Sequence, residues 1–277
     1  MLYTNRRANL EGLDGVTWVH GTRIGIAESL DGGTTWQYRD TCDVPLKMKN
    51  ATHWAPEVIW HDGLYHMYLT YVPGIFADWH HPRDIVHLTS KNLMSWHYES
   101  TLDLANHKVI DACVFQLTDS TWRMWYNNEK DRKSIYYADS KDLYNWRDKG
   151  KAVGDQSGEG PKVFQWKEKY WMITDVWQGL ALYESADLKS WKRIRGNLLE
   201  QPGIGNDDQV KGQHADVVVN NDRAYIFYFT HPGRTKPGDN KDTRRSSIQA
   251  VELKYENGRI FCDRDGPTYI NLLSPEP

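Results

Sequence analysis

Four short apolar runs of this chain open on an ionisable residue: Glu57-Val58-Ile59-Trp60, Asp111-Ala112-Cys113-Val114-Phe115, Glu159-Gly160-Pro161-Lys162-Val163-Phe164 and His214-Ala215-Asp216-Val217-Val218-Val219. Each leads through a turn into an aromatic-rich segment, such as Trp122-Arg123-Met124-Trp125-Tyr126 after Asp111. Asp and Glu are depleted in strands, so their recurrence at strand starts asks for a reason other than propensity. Carboxylates brought together perturb one another, and one can stay protonated at pH 7 while its neighbour is ionised. Hydrolysis of a glycosidic bond uses that division, with a protonated acid for the leaving oxygen and an ionised carboxylate beside it. The blander alternative is a structural ion cluster that plugs a channel. Residue types alone leave both open.

Bringing four such heads together requires a repeating scaffold, and the sequence contains one. Ser-x-Asp/Asn-Leu-x-x-Trp occurs as Ser90 to Trp96, Ser140 to Trp146 and Ser185 to Trp191, with a looser copy from Ser29 to Trp36. The tryptophans lie 60, 50 and 45 residues apart, close to the span of a propeller blade of four short strands, about 40–50 residues. Between them, β-branched and aromatic runs alternate with Asn/Asp/Gly turns, the pattern of antiparallel strands. No stretch shows a convincing helical period. The expectation is an all-β fold, a five-bladed β-propeller, as one domain over residues 1–277. Radial sheets start their inner strands around one axis, so Glu57, Asp111, Glu159 and His214 are expected to face one pocket. The tryptophan at one fixed point per blade is expected to pack between blades rather than to stack on sugar.

Composition narrows the partners. Thirty-four Lys+Arg stand against 37 Asp+Glu, a net charge of -3, which argues against a nucleic acid held by phosphate contacts. Mean hydropathy is -0.72 and no run of 18 apolar residues occurs, so no membrane span is expected. Cys42, Cys113 and Cys262 are too few and too scattered for a disulfide framework or a zinc motif. Thirteen Trp and 16 Tyr outnumber six Phe; aromatics with a polar edge suit carbohydrate platforms as well as cores. Met1 to Arg7 has no apolar stretch behind its charges, so no signal peptide is read there. Compartment and oligomeric state stay open.

Taken in order, the motifs resemble glycoside hydrolase family 43 over about residues 53–235. His53-Trp54-Ala55-Pro56-Glu57-Val58, followed by His61-Asp62-Gly63-Leu64-Tyr65, is similar to the family's blade-two Trp-Ala-Pro strand. Ile110 to Phe115 resembles its blade-three motif, Gly158-Glu159-Gly160-Pro161-Lys162 its Glu-Gly-Pro motif, and Gly212-Gln213-His214-Ala215-Asp216 its blade-five Gly-His segment. The resemblance implies a five-bladed enzyme that inverts at the anomeric carbon and removes mainly arabinosyl and xylosyl units. It implies Glu159 as general acid, Asp111 as the residue that orients the acid and tunes its protonation, and His214 as a residue near the axis that often helps hold a cation or water. No cofactor is implied as required; a Ca2+ on the axis at His214 is the metal it raises. Trp54 and Glu57, on the blade-two strand, join His214 as expected substrate contacts.

The family also uses a third carboxylate, an Asp on the inner strand of blade one, as general base. Strand heads here precede their aromatic partners by 15 residues (Asp111 to Tyr126) or 14 (His214 to Tyr228). Leu2-Tyr3-Thr4-Asn5 reads as the partner segment in blade one, which places the base upstream of Met1 and leaves blade one incomplete. Asp14, Asp31, Asp40 and Asp43 lie on the wrong segments by this count. Asp263 and Asp265 would serve if the C-terminal tail supplied the strand.

Other residues read two ways. Trp79, in Asp78-Trp79-His80-His81-Pro82-Arg83, either rims the sugar site or sits on a solvated turn. The His80-His81 pair lacks a third ligand at zinc spacing. Asn127, Asn128, Asp175 and Trp177 follow second strands, where they bind a substrate hydroxyl or shape the turn. Arg234 and Arg244-Arg245 flank Pro232 to Asp242, read as a mobile loop at the pocket mouth. Arg6-Arg7 binds an acidic sugar or forms a solvated end. The working expectation is a glycosidase with a carbohydrate substrate, and Trp79, Asn128, Trp177 and Arg234 join its expected sugar contacts. Its rivals are a carbohydrate-binding propeller impaired in hydrolysis and a family 117 glycosidase. Family 32 is disfavoured because its Arg-Asp-Pro and Glu-Cys pattern is absent.

Overall fold

In the computed structural model, which describes residues 1–9, 14–45 and 50–273, the Ser-x-Asp/Asn-Leu-x-x-Trp unit builds one recurring turn. Ser90 Oγ accepts from the Leu93 amide, Asn92 Oδ1 accepts from the Met94 and Ser95 amides, and Trp96 Nε1 donates to the Leu93 carbonyl at 2.9 Å. Ser140, Asp142, Leu143 and Trp146 repeat all of these bonds. Ser185, Asp187 and Leu188 repeat the first three. Leu93, Leu143 and Leu188 take φ of +64°, +67° and +59°, a conformation that costs a non-glycine residue about 1–3 kcal/mol. The side-chain bonds on either side offset that cost.

These turns punctuate five meandering sheets. The first holds β1 (Leu2–Asn5), β2 (Arg23–Glu28) and β3 (Gln37–Thr41), in that order. The second holds β4 (Thr52–His61), β5 (Leu64–Val72), β6 (Asp84–Ser90) and β7 (His97–Thr101). The third holds β8 (Val109–Gln116), β9 (Trp122–Asn128), β10 (Ser134–Ser140) and β11 (Trp146–Val153). The fourth holds β12 (Glu159–Trp166), β13 (Lys169–Asp175), β14 (Leu180–Ser185) and β15 (Lys192–Leu198). The fifth holds β16 (Gln213–Asn220), β17 (Arg223–Thr230), β18 (Ser247–Glu256) and β19 (Arg259–Cys262). One such sheet per repeat makes the fold a five-bladed β-propeller, as the periods predict.

The chain divides into two compact units, one of residues 1–27 and 38–161, the other of residues 28–37 and 162–277. In the first, Ile24 and Ile26 of the first sheet and Cys42, just past β3, pack with Met67, Leu69 and Leu88 of the second and with Trp96 of the turn between β6 and β7. Tyr68 and Ile85 of the second sheet pack with Val109, Val114 and Met124 of the third and with Leu143 of its β10–β11 turn. Trp146 meets Tyr68 edge-on, with ring centres 5.4 Å apart. Trp96 and Trp146 therefore pack between blades, as their fixed place in the repeat implies. In the second unit, Trp171, Ile173, Leu180 and Leu182 share a core with Val217, Ala224, Ile226 and Val251. Cys42, Cys113 and Cys262 form no disulfide with one another. Among the described residues no helix is long and apolar enough to cross a membrane.

The heads of the inner strands share a second device. Strand register slips between Trp54 and Glu57, between Ile110 and Cys113, and between Gln213 and Ala215. Ala55, Asp111 and His214 in these bulges have φ of +43°, +60° and +27°, and Gly160 has +57° at the like point of β12. A bulge re-aims a side chain and frees a backbone amide. Each freed amide is caught by a neighbouring side chain. Thr4 Oγ1 accepts from Ala55 N (3.0 Å), Thr70 Oγ1 from Asp111 N (2.9 Å), Asp111 Oδ2 from Gly160 N (3.1 Å) and Asp175 Oδ2 from His214 N (2.9 Å). Thr4 thus does for β4 what Thr70 does for β8, so β1 corresponds to the second strand of the other sheets, as the strand count expects. The bulges also correct the expected equivalence of the four heads. Ala55, Asp111, Gly160 and His214 are the matching set; Glu57 lies two residues beyond its bulge and Glu159 one residue before.

Candidate active site

Glu159 is placed by the turn that follows β9. Asn127, fully buried, donates from Nδ2 to the carbonyls of Gly158 and Lys133, and Gly158 N donates to the Lys133 carbonyl at 3.1 Å. The backbone ahead of Glu159 is thereby stapled to that turn. From it, Lys133 Nζ reaches Glu159 Oε2 at 3.0 Å and Glu129 Oε1 at 3.0 Å, while Glu129 Oε2 sits 2.7 Å from Arg83 Nε. Burial works against the charge on Lys133, but Glu159 and Glu129 outweigh it and hold the ammonium above its ordinary range. Glu159 keeps 23% of its side-chain surface exposed, so a ligand can reach it. Asp111 is only 5% exposed, and its Oδ2 holds the amide that follows Glu159. A reachable carboxyl beside a buried one is an arrangement that can divide proton donation from support.

The other expected contacts of this unit fall into two groups. Trp54, half-buried, donates from Nε1 to the Val19 carbonyl at 2.7 Å. Its ring lies 6.2 Å from that of Trp79, which is 48% exposed. The Arg83 guanidinium lies 5.7 Å from the Trp54 ring and 5.8 Å from the Trp79 ring. These two indoles and Arg83 form a platform that leads through Glu129 and Lys133 to Glu159. Glu57 and Asn128 make bonds to the scaffold. Glu57 Oε1 accepts from Val114 N at 3.0 Å and ties β4 to β8. Asn128 is buried, and its Oδ1 accepts from Asn106 Nδ2 and Lys130 N. Arg7 donates to the Thr17 carbonyl, and Arg6 lies over the Trp18 ring at 5.8 Å.

In the second unit Asp175 is the organising group. It is 1% exposed; Oδ1 accepts from Trp177 N at 2.7 Å and Oδ2 from His214 N at 2.9 Å. Hydrogen bonds to a charged group are worth about 1.5–3 kcal/mol each. Asp175→Ala is therefore expected to cost about 3 kcal/mol or more, read as a lowered urea midpoint; an unchanged midpoint would refute this role. Gln213, Lys211, His231 and Arg234 help line a cavity of about 360 Å³. The stretch Pro232 to Asp242, expected as a mobile loop, is built otherwise. Pro232–Thr235 is a 3-10 turn, and Asn240 caps the helical turn Lys241–Arg244, its own amide donating in return to Thr243 Oγ1. Asp239 pairs with Arg244 and Asp207 with Arg245, both at 2.6 Å.

Residues 17–260 match the family model for glycosyl hydrolases family 43. The chain belongs to that family. Solved structures agree on the fold. A family 43 β-1,3-galactosidase with galactodeoxynojirimycin is 14% identical, covering 98% of this chain and 91% of its own, with a TM-score of 0.70. A GH43_1 enzyme from Xanthomonas citri, complexed with xylotriose, is 15% identical, covering 99% and 94%, with a TM-score of 0.67. A calcium-free β-xylosidase/α-arabinofuranosidase from a compost microbial metagenome, also with xylotriose, is 15% identical, covering 94% of each chain, with a TM-score of 0.63. Among curated proteins no sequence matches.

As a family 43 glycosidase, the chain offers two carboxylates placed together, Asp111 and Glu159, and no third that the described residues assign as base. Asp31 accepts from the amides of its own turn, Asp40 from Thr41 N, Asp263 from Gly266 N and Asp265 from Ile204 N. Among the described residues no three His, Cys, Asp or Glu side chains gather as a metal site. A calcium at His214 thus finds no such donor set, and no step is derived through one. Sequence reasoning missed Lys133 and Glu129. Their four-residue spacing beyond the aromatic β9 strand was the available signal, and opposite charges at that spacing are common on any surface.

Proposed function

We propose that this family 43 glycosidase removes arabinosyl or xylosyl units with inversion, using Glu159 as general acid and Asp111 as its support. The Asp111 Oδ2–Gly160 N bond carries the reading, because it fixes a buried carboxylate against the residue after a reachable one. In this mechanism Glu159 donates its proton to the leaving oxygen as the glycosidic bond breaks, and water attacks the opposite face of the sugar. Trp79, 48% exposed beside Trp54, offers a ring against which the sugar can pack. The xylotriose complexes of two relatives support a pentose, and the galactosidase makes a hexose the competitor to test.

The deciding measurement follows the anomeric proton of the first-formed product by NMR, with xylotriose, an arabinofuranoside and a β-1,3-galactoside as substrates. Inverted pentose release is expected. Retained configuration would overturn the mechanism, and faster galactose release would overturn the sugar assignment.

A further inference from the structure

The proton that Glu159 would donate must survive beside an ammonium. An opposite charge within about 4–6 Å of a carboxyl group favours its ionised form. Lys133 Nζ is 3.0 Å from Glu159 Oε2. The same ammonium is also 3.0 Å from Glu129 Oε1, and Glu129 is fixed from its other side by Arg83 at 2.7 Å. Arg83 is itself held by the Trp79 carbonyl and by the faces of Trp54 and Trp79. Glu129 therefore competes with Glu159 for one cation, from a clamped position.

We propose that Lys133 is a positioning residue whose ammonium, shared between Glu129 and Glu159, sets the pH at which Glu159 holds the proton it donates. This rests on the reading of Glu159 as the acid. Other charged groups of this unit stand near the cluster. Asp111 approaches from β8 across the Gly160 amide. Asp131, in the same turn, is taken up by Lys151 at 2.6 Å and by the Tyr136 hydroxyl at 2.9 Å, and Arg132 precedes Lys133 in the chain. Lys133 and Glu129 thus control the balance, one attracting negative charge to Glu159 and the other drawing the cation away.

Opposite signs follow for the two substitutions. Lys133→Met removes the cation, so the alkaline limb of kcat/KM should move up by about one pH unit or more. Glu129→Gln removes the carboxylate that competes with Glu159 for the ammonium, so the same limb should move down. Lys133→Arg keeps the charge and should restore the wild-type limb. A merely structural role would lower the rate evenly across pH. The companion measurement is a 13C NMR titration of the Glu159 side-chain carboxyl, assigned by its loss in Glu159→Gln, in wild type and each variant. It reads protonation whether or not Glu159 is the acid, so it also decides the matter if a variant is too weak to assay. Shifts in opposite directions support the proposal, even where wild-type turnover by Glu159→Gln has overturned the acid reading. An unmoved Glu159 titration in Lys133→Met or in Glu129→Gln overturns it, even where Glu159 proves to be the acid.

Discussion

Glu159→Gln is expected to lower turnover of a xylo- or arabino-oligosaccharide by on the order of 10²-fold or more, the lower end of what a positioned proton donor contributes. Glutamine keeps the shape of the side chain and can still accept from Lys133 Nζ, now 3.0 Å from Glu159 Oε2, but it has no acidic proton. The loss should depend on the leaving group. An alcohol leaving group needs that proton as the bond breaks, whereas a dinitrophenolate departs without it, so the dinitrophenyl glycoside should suffer far less. Folding should be nearly untouched, because a partly exposed ion pair contributes about 0–1 kcal/mol. Equal losses on both substrates would remove Glu159 from the acid role and leave it a structural residue.

What the sequence made legible here was what short-range bonding encodes. In Ser-x-Asp/Asn-Leu-x-x-Trp the Ser, the Asp or Asn, the Leu and the Trp each make a bond within the same turn, so the pattern survives in the letters and its period gives the blades. The capping box Asn240-x-x-Thr243 is encoded on the same principle, but the Gly, Pro and Lys around it give the stretch the composition of a loop. The bulges were not legible. Nothing in Trp54-Ala55-Pro56-Glu57 marks Ala55 as the residue at φ +43°, since that conformation is stabilised by Thr4, 51 residues away. One unrecognised bulge shifts a head by a residue or two, which is how Glu57 entered the expected site and proved to tie two sheets together. Lys133 was hidden for a related reason. Its partner Glu159 lies 26 residues on, and the two meet only because Asn127 pins the turn to the start of the next blade.

The second large effect concerns acid stability and lies away from the carboxylates. His53 is 3% exposed, and among the described residues neither ring nitrogen has a hydrogen-bond partner. Burial, with a smaller contribution from Arg23, pushes its titration down to about 4. His87, fully buried, is pushed down to about 3 by burial and by His66, on which it stacks with ring centres 5.2 Å apart. Both groups are lowered from 6.5, so the unfolded chain takes up protons first as pH falls. Their contribution is complete above about pH 6.5 and is lost on the way down to about 4 for His53 and about 3 for His87. Each costs about 1.4 kcal/mol per pH unit in that window, or about 2 kcal/mol apiece by pH 5. Asp142 and Asp187, lowered from 3.8 to about 2, withdraw their support only below 3.8, so the two effects separate on the pH axis. His53→Phe keeps a ring against Tyr71, 6.4 Å away, and removes both the titration and two desolvated nitrogens, which cost about 1–3 kcal/mol when left unpaired. The variant should match or exceed wild type at pH 7, and its urea midpoint should fall less between pH 7 and 5 than the wild type's, by the share that corresponds to about 2 kcal/mol. An equal fall in both proteins would show that His53 titrates alike in the folded and unfolded chain, and that its burial has no bearing on acid stability.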